Sequence, residues 1–297
     1  VIEKAGANDI VITTYGVLVT QKDTLTSKPW NTVCLDEAHY IKNRMTRASR
    51  AAMSLKAEAK IILTGTPLQN HLGEMWNLFQ FINPGMLGPW QQFVDKYIKS
   101  PWDDMIQKEL KDRTMPFILR RTKDEVLDDL PEKISYEQMV ELSPEEMQIY
   151  EKIRQDVEVK FKKHKTKAER DLAKTLNISF FQELTKLRLL SNSVSLVYPE
   201  WKPESSKIAA LRDIVSSLGS RSDNRVLIFS PFTSFLAQVG AMMKDIGVDY
   251  LYLDGQTEMD ERQRLVDAFQ AGECQFFLIS LKAGGLGLNL TAANYVI

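Results

Sequence analysis

The sequence predicts an α/β fold in which parallel strands alternate with helices, in two separate sheet regions. In the first region, strand-like apolar runs at residues 10–12, 32–35 and 61–63 accompany a helix-like stretch at residues 46–55. In the second region, strand-like runs and helix-like stretches alternate from residue 226 to residue 279. Chains with this alternation form parallel sheets that are covered by helices.

Helices are predicted for the middle of the chain. From residue 72 to residue 130, large apolar residues recur at helical spacing, with breaks at Asn83-Pro84-Gly85 and Gly88-Pro89. A further helix is expected to begin at Ser143, because serine caps helices, proline suits the first turn and acids favour the positive end of the helix dipole. We expect residues 1–70 to be the C-terminal part of a first lobe, residues 71–200 to be helical insertions and a connection, and residues 201–297 to be a second lobe.

Composition excludes some classes of protein and leaves others open. The formal net charge is -1, from 38 basic and 39 acidic residues, so nucleic-acid contacts would have to come from local clusters. Cys34 and Cys274 lie in strand-like runs, which predicts reduced thiols in the core. No apolar run is long enough to span a bilayer, so we expect no membrane partner.

Two polar clusters follow consecutive strands, at the positions where ligands bind in parallel sheets. Asp36-Glu37-Ala38-His39 follows the strand-like run at residues 32–35, and Thr64-Gly65-Thr66-Pro67 follows the run at residues 61–63. ATP hydrolysis needs a divalent cation to neutralise phosphate charge and a carboxylate to orient the attacking water. We therefore expect Asp36 to bind Mg²⁺ and Glu37 to orient the water.

His39 is expected to relay the state of the nucleotide towards Thr64 and Thr66. Each cluster has a simpler interpretation when it stands alone. An Asp-Glu pair after a strand is more often a solvated turn or a helix cap, and threonines often cap strand ends. The presence of both clusters, in this order, favours the functional interpretation.

Seven motifs occur in a fixed order along nearly the whole chain. They are Thr13-Thr14-Tyr15, Asp36-Glu37-Ala38-His39-Tyr40-Ile41-Lys42-Asn43, Leu63-Thr64-Gly65-Thr66-Pro67-Leu68-Gln69-Asn70, Phe117-Ile118-Leu119-Arg120-Arg121-Thr122-Lys123, Phe229-Ser230-Pro231-Phe232-Thr233, Tyr252-Leu253-Asp254-Gly255-Gln256-Thr257 and Ser280-Leu281-Lys282-Ala283-Gly284-Gly285-Leu286-Gly287-Leu288-Asn289-Leu290. Together they resemble the motifs of Swi/Snf-type double-stranded DNA translocases, a DEAH-box group of helicase superfamily two.

This resemblance implies two RecA-like lobes with helical insertions, ATP and Mg²⁺ in the cleft between the lobes, and duplex DNA across both. It implies ATP-dependent movement along double-stranded DNA and remodelling of DNA-bound proteins. The DNA backbone would contact Thr13, Thr14, Lys42, Ser230, Thr233, Gln256, Thr257 and Ser280. The ATP cleft would be bordered by Thr64, Gly65, Thr66, Gln69, Gly284, Gly285, Gly287 and Asn289. Arg120 and Arg121 would lie near the joint between the lobes, with a salt-bridged surface helix as the equal alternative.

Three family features are missing from the sequence. It contains no Gly-Lys pair, and so no phosphate-binding loop of the Gly-x-x-x-x-Gly-Lys-Ser/Thr type. No arginine follows Arg264, so the arginine finger that the family places beyond Asn289 is missing. Leu190-Ser191-Asn192-Ser193-Val194 stands where the family often has Cys-Asn-His-Pro. We expect these residues to be a fragment of a longer chain, truncated at both ends, that does not hydrolyse ATP by itself.

The resemblance leaves alternatives open. The short connection before the second lobe and the motifs around Gly255 and Gly284 look most like bacterial members, which predicts a cytoplasmic protein at the nucleoid. A eukaryotic chromatin remodeller, which would be nuclear, is the nearest competitor. From other classes, an inactive DNA-binding or protein-docking platform and a strand-separating helicase remain. The presence of both Asp36 and Glu37 argues against the platform.

Overall fold

The chain forms two compact units, each of which contains a parallel sheet. The structure, a computed structural model, describes residues 5–6, 8–65, 72–100, 103–122, 125, 133–162, 173–284 and 288–297. The units are Val1–Glu132 and Lys133–Ile297. The predicted α/β class with parallel strands is confirmed in both units.

The first unit is built around two parallel strands. Its elements up to the second strand are α1 (Tyr15–Thr20), α2 (Lys22–Thr26), β1 (Pro29–Leu35), a 3₁₀ turn (Ala38–Ile41), α3 (Arg47–Met53) and β2 (Lys56–Ile62). The strands pair in parallel, with Leu35 opposite Ile62. Helix α3 makes the crossover that a parallel pair requires, and the hydroxyl of Thr46 caps it by accepting a bond from the amide of Ser49 at 3.2 Å.

The predicted strand at residues 10–12 is wrong. Those residues belong to no strand, and Ile10 and Ile12 are 90% and 93% exposed. Within the described part of the chain, no neighbouring strand forms hydrogen bonds with this segment. An apolar run becomes a strand only when a partner satisfies its backbone groups, and the run itself does not reveal that partner.

The prediction of core cysteines is also wrong. Both cysteines are free thiols, but Cys34 is exposed and Cys274 is half-buried. Cys34 lies in β1, where only Leu35 is fully buried. The helices of this unit cover one face of the strand, and the side chain of Cys34 lies on the other face, because successive side chains in a strand alternate between faces.

Helices after β2 form a separate apolar cluster. They are α4 (Leu72–Ile82), α5 (Trp90–Phe93), a π-helical turn (Val94–Ile98), α6 (Asp104–Thr114) and a 3₁₀ turn (Met115–Phe117). The predicted break after α4 is confirmed, since Gly85 and Gly88 adopt φ values of 84° and 73° that favour glycine. Phe79, Phe93 and Tyr97 are buried in this cluster, as helical spacing of the aromatic residues predicted.

The second unit contains a four-stranded parallel sheet. Its elements are α7 (Pro144–Lys162), α8 (Ala173–Leu190), a 3₁₀ turn (Val194–Leu196), α9 (Ser206–Gly219), β3 (Val226–Ser230), α10 (Thr233–Asp245), β4 (Tyr250–Leu253), α11 (Met259–Ala271), β5 (Phe276–Ser280), α12 (Leu281–Gly284) and β6 (Tyr295–Val296). The strand order is β4-β5-β3-β6. No helix in the described ranges is long and apolar enough to cross a bilayer.

Strand β5 is buried on both faces, which explains its continuous apolar sequence. Phe276 and Leu278 pack into one cluster with α9 and α10. Phe277 and Ile279 pack into another cluster with α11 and α12. All four side chains are 0% exposed, so this strand forms the centre of the second unit.

A buried glutamate joins the starts of α7 and α9. Glu146, 2% exposed, accepts bonds from the Ser143 amide at 3.0 Å and from the amide and hydroxyl of Ser206. The Ser143 hydroxyl accepts a bond from the Glu146 amide at 3.3 Å, which confirms the predicted serine cap and completes a capping box. A single carboxylate therefore satisfies donors at two helix N-termini.

Replacing Glu146 with alanine is expected to lower the free energy of unfolding by about 3 kcal/mol, because buried donors on Ser143 and Ser206 lose their acceptor. Chemical denaturation followed by circular dichroism measures this change. Glu145→Ala is the matched control, since Glu145 is an exposed neighbour in the same helical turn and its loss should change stability by less than about 0.5 kcal/mol. Equal effects of the two substitutions would contradict the conclusion that Glu146 joins the starts of the two helices.

Candidate functional site

The backbone segments that follow β1 and β2 lie side by side as far as Thr64. Beyond the ends of the two strands, the Leu63 amide donates to the Leu35 carbonyl at 2.8 Å, and the Ala38 amide donates to the Leu63 carbonyl at 2.9 Å. The backbone at Asp36 and Glu37 therefore runs beside the backbone that leads into Thr64. The predicted meeting of the two strand ends is confirmed.

Glu37 has a backbone conformation that non-glycine residues rarely adopt. Its φ and ψ are 48° and 50°, and among the described residues it is the one non-glycine residue with positive φ. The left-handed conformation costs about 1 kcal/mol for such a residue. The Asp36 carboxylate accepts the Glu37 amide at 2.8 Å, and buried Ala38 anchors the following turn. Strain of this kind is found most often at functional sites.

His39 contacts the glutamate that precedes it by two residues. Its Nδ1 lies 3.2 Å from Oε2 of Glu37, and its ring stacks on Tyr40 at a centroid distance of 4.4 Å. Thr66 and Gln69, which were predicted to border the ATP cleft, lie outside the described residues. Gly65 is exposed. The contact orients the Glu37 carboxylate, while the proposed relay to the threonines stays a prediction.

Tyr15 is a contributor to the site that sequence reasoning assigned no role of its own. Its hydroxyl donates to the Asp36 carbonyl at 2.7 Å. Burial and the nearby Asp36 carboxylate raise the pKa of Tyr15 to about 12, because both disfavour the phenolate. In the sequence, the only indication of this role was an aromatic residue after two threonines. That pattern did not identify the Asp36 carbonyl as its hydrogen-bond partner.

Asn77 is a second contributor that sequence reasoning missed. This buried side chain on α4 donates from Nδ2 to the Ile41 carbonyl at 2.5 Å and to the Ser49 hydroxyl at 2.8 Å. It thereby ties α4 to the turn after Glu37 and to α3. An asparagine at a core position of an amphipathic helix was the signal that could have identified it.

Asp36 has the properties of a ligand for a divalent cation. The side chain is exposed, and one carboxylate oxygen accepts the Glu37 amide while the other has no hydrogen bond within the described ranges. No group of three or more His, Cys, Asp and Glu side chains that could hold a metal occurs in those ranges. Mg²⁺ is commonly held by one or two carboxylates together with phosphate oxygens and water. Asp36 therefore fits a magnesium ion that is bound mainly through a nucleotide.

Three residues of the first unit were predicted to contact DNA. Thr13 is exposed. Thr14 is exposed and caps α1, since its hydroxyl accepts the Val17 amide at 3.2 Å. Lys42 is half-buried, with Nζ 3.5 Å from the carboxylate of buried Glu74. The structure thus leaves the two threonines accessible and gives Lys42 an acidic partner.

The predicted DNA contacts of the second unit fall into two groups. Ser230 and Ser280 are opposite each other in β3 and β5 and are 5% and 3% exposed, so neither side chain is accessible to a phosphate. Thr233 is exposed in the first turn of α10, and Gln256 is exposed in the turn between β4 and α11. Thr257 in the same turn is half-buried.

The glycine-rich segment after β5 is only partly described. Gly285 and Gly287 lie outside the described residues. A Cβ on Gly284 would lie 2.8 Å from Cε1 of Phe229, so the absence of a side chain there is needed for packing against the sheet. Asn289 is exposed, and its carbonyl accepts a bond from Gln270 at 3.1 Å.

Arg120 and Arg121 lie in an irregular segment after the 3₁₀ turn at Met115–Phe117. Both side chains are exposed. The alternative of a salt-bridged surface helix is wrong, because residues 118–122 are not helical and no ion pair of either arginine occurs among the described residues.

Tyr15→Phe is expected to change two curves at high pH. The free energy of unfolding should lose its decrease near the pKa of Tyr15, and the phenolate absorbance should lose the corresponding step. The folded-state pKa of about 12 exceeds the ordinary 10.0, so the folded state holds the proton more tightly. The contribution to stability is therefore complete below pH 10.0 and is lost as pH rises through about 12. Ultraviolet titration of phenolate measures the step. Tyr136→Phe, which removes the hydroxyl of an 88% exposed tyrosine, is the control, and identical difference curves for both variants would contradict the assignment.

Comparison with known proteins identifies similar sequences and structures. Protein YwqA of Bacillus subtilis strain 168, named as an ATP-dependent helicase/translocase, is 36% identical over 97% of this chain and 32% of its own length. The human SWI/SNF-related matrix-associated actin-dependent regulator of chromatin subfamily A member 1 is 31% identical over 98% of this chain and 29% of its own length. The Sulfolobus solfataricus SWI2/SNF2 ATPase core in complex with dsDNA is 28% identical, over 97% of this chain and 61% of that chain, with a TM-score of 0.48.

The chain spans about a third of the length of these two curated relatives. Two family patterns match it. Residues 206–297 match the helicase conserved C-terminal domain, and residues 2–195 match the SNF2-related domain. The second of these matches covers more than half of the 297 residues. The chain therefore belongs to the SNF2-related family.

Proposed function

We propose that this chain forms part of the ATP-hydrolysing motor of a protein that moves along double-stranded DNA and remodels protein–DNA complexes. One observation carries the proposal. The parallel pairing of β1 and β2 brings the strained Asp36-Glu37 pair beside the backbone that leads into Thr64, at the carboxyl edge of the sheet. Membership of the SNF2-related family supports this interpretation of the edge.

The proposed chemistry divides between two carboxylates. Asp36 would hold Mg²⁺, which when bound neutralises charge on the nucleotide phosphates. Glu37, whose side chain is 60% exposed, orients the attacking water and accepts its proton. His39 holds the Glu37 carboxylate through Nδ1, and the Tyr15 hydroxyl holds the backbone of Asp36. The Glu37 carboxylate and the Asp36 backbone therefore each have a neighbour that limits their movement.

The proposed DNA contacts are Lys42 together with neutral hydroxyl and amide groups on both units. Thr13 and Thr14 on the first unit and Thr233 and Gln256 on the second are exposed. Such groups bind phosphate oxygens whatever the base sequence, as a motor that follows the backbone requires. ATP binding and hydrolysis would change the grip of the two units on DNA in turn. Burial of Ser230 and Ser280 favours a supporting role for these two residues.

Two other functions would be indicated by different results of the tests below. A platform that binds DNA or protein without hydrolysis has no need of the strained backbone at Glu37. A strand-separating helicase would share the site but would unwind duplexes. The DNA-bound proteins that the motor displaces, and its place in a nucleoid or a nucleus, depend on parts of the relatives that this chain does not span.

Glu37→Gln in the full-length protein is expected to reduce ATP hydrolysis by at least about 100-fold, because glutamine cannot accept the proton of the attacking water. Nucleotide binding should change little, since the amide keeps the shape of the carboxylate. Steady-state hydrolysis and binding of a fluorescent ATP analogue, each with and without duplex DNA, measure both quantities. Glu145→Gln is the control, and undiminished hydrolysis in Glu37→Gln would remove Glu37 from this role.

Duplex affinity is expected to fall steeply with salt, because phosphate contacts release counterions. Lys42→Ala should lower the affinity and reduce the slope of log K against log salt by about one if Lys42 contacts a phosphate. Fluorescence anisotropy at several salt concentrations measures the slope. An unchanged slope would mean that Lys42 forms its ion pair with Glu74 and contacts no phosphate. An affinity that does not depend on salt would contradict the proposal that the protein follows the DNA backbone.

A further inference from the structure

One arginine forms hydrogen bonds with both ends of the turn between β4 and α11. Arg262, half-buried on α11, donates from Nε to the Thr257 carbonyl at 2.9 Å and from Nη2 to the Asp254 carbonyl at 3.1 Å. These two carbonyls lie at the two ends of the four-residue turn that contains Gln256. A single planar guanidinium therefore sets the distance between the ends of the turn.

Three side-chain hydrogen bonds stabilise the turn from within. The Asp254 amide donates to the Thr257 hydroxyl at 3.1 Å, and the Gln256 amide donates to the Asp254 carboxylate at 2.8 Å. The Tyr252 hydroxyl donates to the other oxygen of that carboxylate at 3.3 Å. These bonds leave the side-chain amide of Gln256 exposed and without a partner among the described residues, so it is available to an external ligand.

The arginine has no acidic partner of its own. No carboxylate in the described part of the chain forms an ion pair with Arg262, although its neighbour Arg264 pairs with Glu261 at 2.7 Å. Both donors of Arg262 point to backbone carbonyls instead. A residue that served only to neutralise charge on the helix surface would use the neighbouring acids. The observed bonds serve the shape of the turn.

We propose that Arg262 is a positioning residue for DNA binding, which fixes the turn so that Gln256 presents its amide to a backbone phosphate. This inference rests on the proposed function, because it assumes that the turn contacts duplex DNA. Arg262 does not touch the DNA itself and acts through the geometry of residues 254–257. Lysine cannot replace it, since a single ammonium on a flexible stem does not hold two carbonyls in one plane.

A double-mutant cycle in the full-length protein tests the inference. Duplex affinity is measured by fluorescence anisotropy at one salt concentration for wild type, Gln256→Ala, Arg262→Lys and the double variant. Gln256→Ala is expected to weaken binding about fivefold in wild type and to have almost no effect in Arg262→Lys, because the misplaced side chain no longer reaches the phosphate. Arg262→Lys should weaken binding by no more than about the same fivefold, because it acts through Gln256, while basal ATP hydrolysis and thermal stability stay near wild type.

Arg264→Lys is the matched control, because Arg264 lies two residues away on the same helix and is 79% exposed. It should leave duplex affinity unchanged. Equal effects of Gln256→Ala in both backgrounds, or no effect in wild type, would overturn the positioning role. Loss of basal hydrolysis or of thermal stability in Arg262→Lys would also overturn it, by showing a general structural role. Failure of the wild-type protein to bind duplex DNA would instead refute the proposed function.

Discussion

The parallel hydrogen bonding between β1 and β2 is the interaction on which the proposed active site depends. It continues past the strands through the amides of Leu63 and Ala38, and so joins the Asp-Glu turn to the Thr64 segment. A shift of one residue in this register would turn the side chains at the strand ends to opposite faces. The strain at Glu37 is tolerated because the turn is anchored on both sides, by the Asp36 carboxylate and by the buried 3₁₀ turn.

The second unit applies the same principle to a more complete sheet. Strand β5 is buried on both faces and pairs with β3 and β4, so the ends of those two strands have fixed positions from which turns extend. Those turns carry the residues that we assign to DNA contact, and Arg262 constrains one of them through backbone carbonyls. In both units, therefore, a rigid parallel sheet supplies the geometry, while short polar turns at its carboxyl edge supply the chemistry.

The sequence predicted the elements that rest on local patterns. The start of α3, the capped start of α7 and strands β3 to β5 were all found within a few residues of the predicted positions. Longer-range features were not predictable. Strand β1 begins at Pro29, earlier than its apolar run, because pairing with β2 and not hydrophobicity sets its length. Tyr15, Asn77 and Arg262 each donate to at least one backbone carbonyl, which carries no residue identity that a pattern could reveal.

Displacement of a third strand from a DNA triplex by the full-length protein tests the central claim most directly. A motor that moves along duplex DNA should release the triplex-forming strand only when ATP is hydrolysed, and should leave the two strands of the duplex paired. Release of the third strand with an intact duplex is the predicted result. ATP hydrolysis without release, or separation of the duplex strands themselves, would contradict the claim that this chain is part of the motor of a double-stranded DNA translocase.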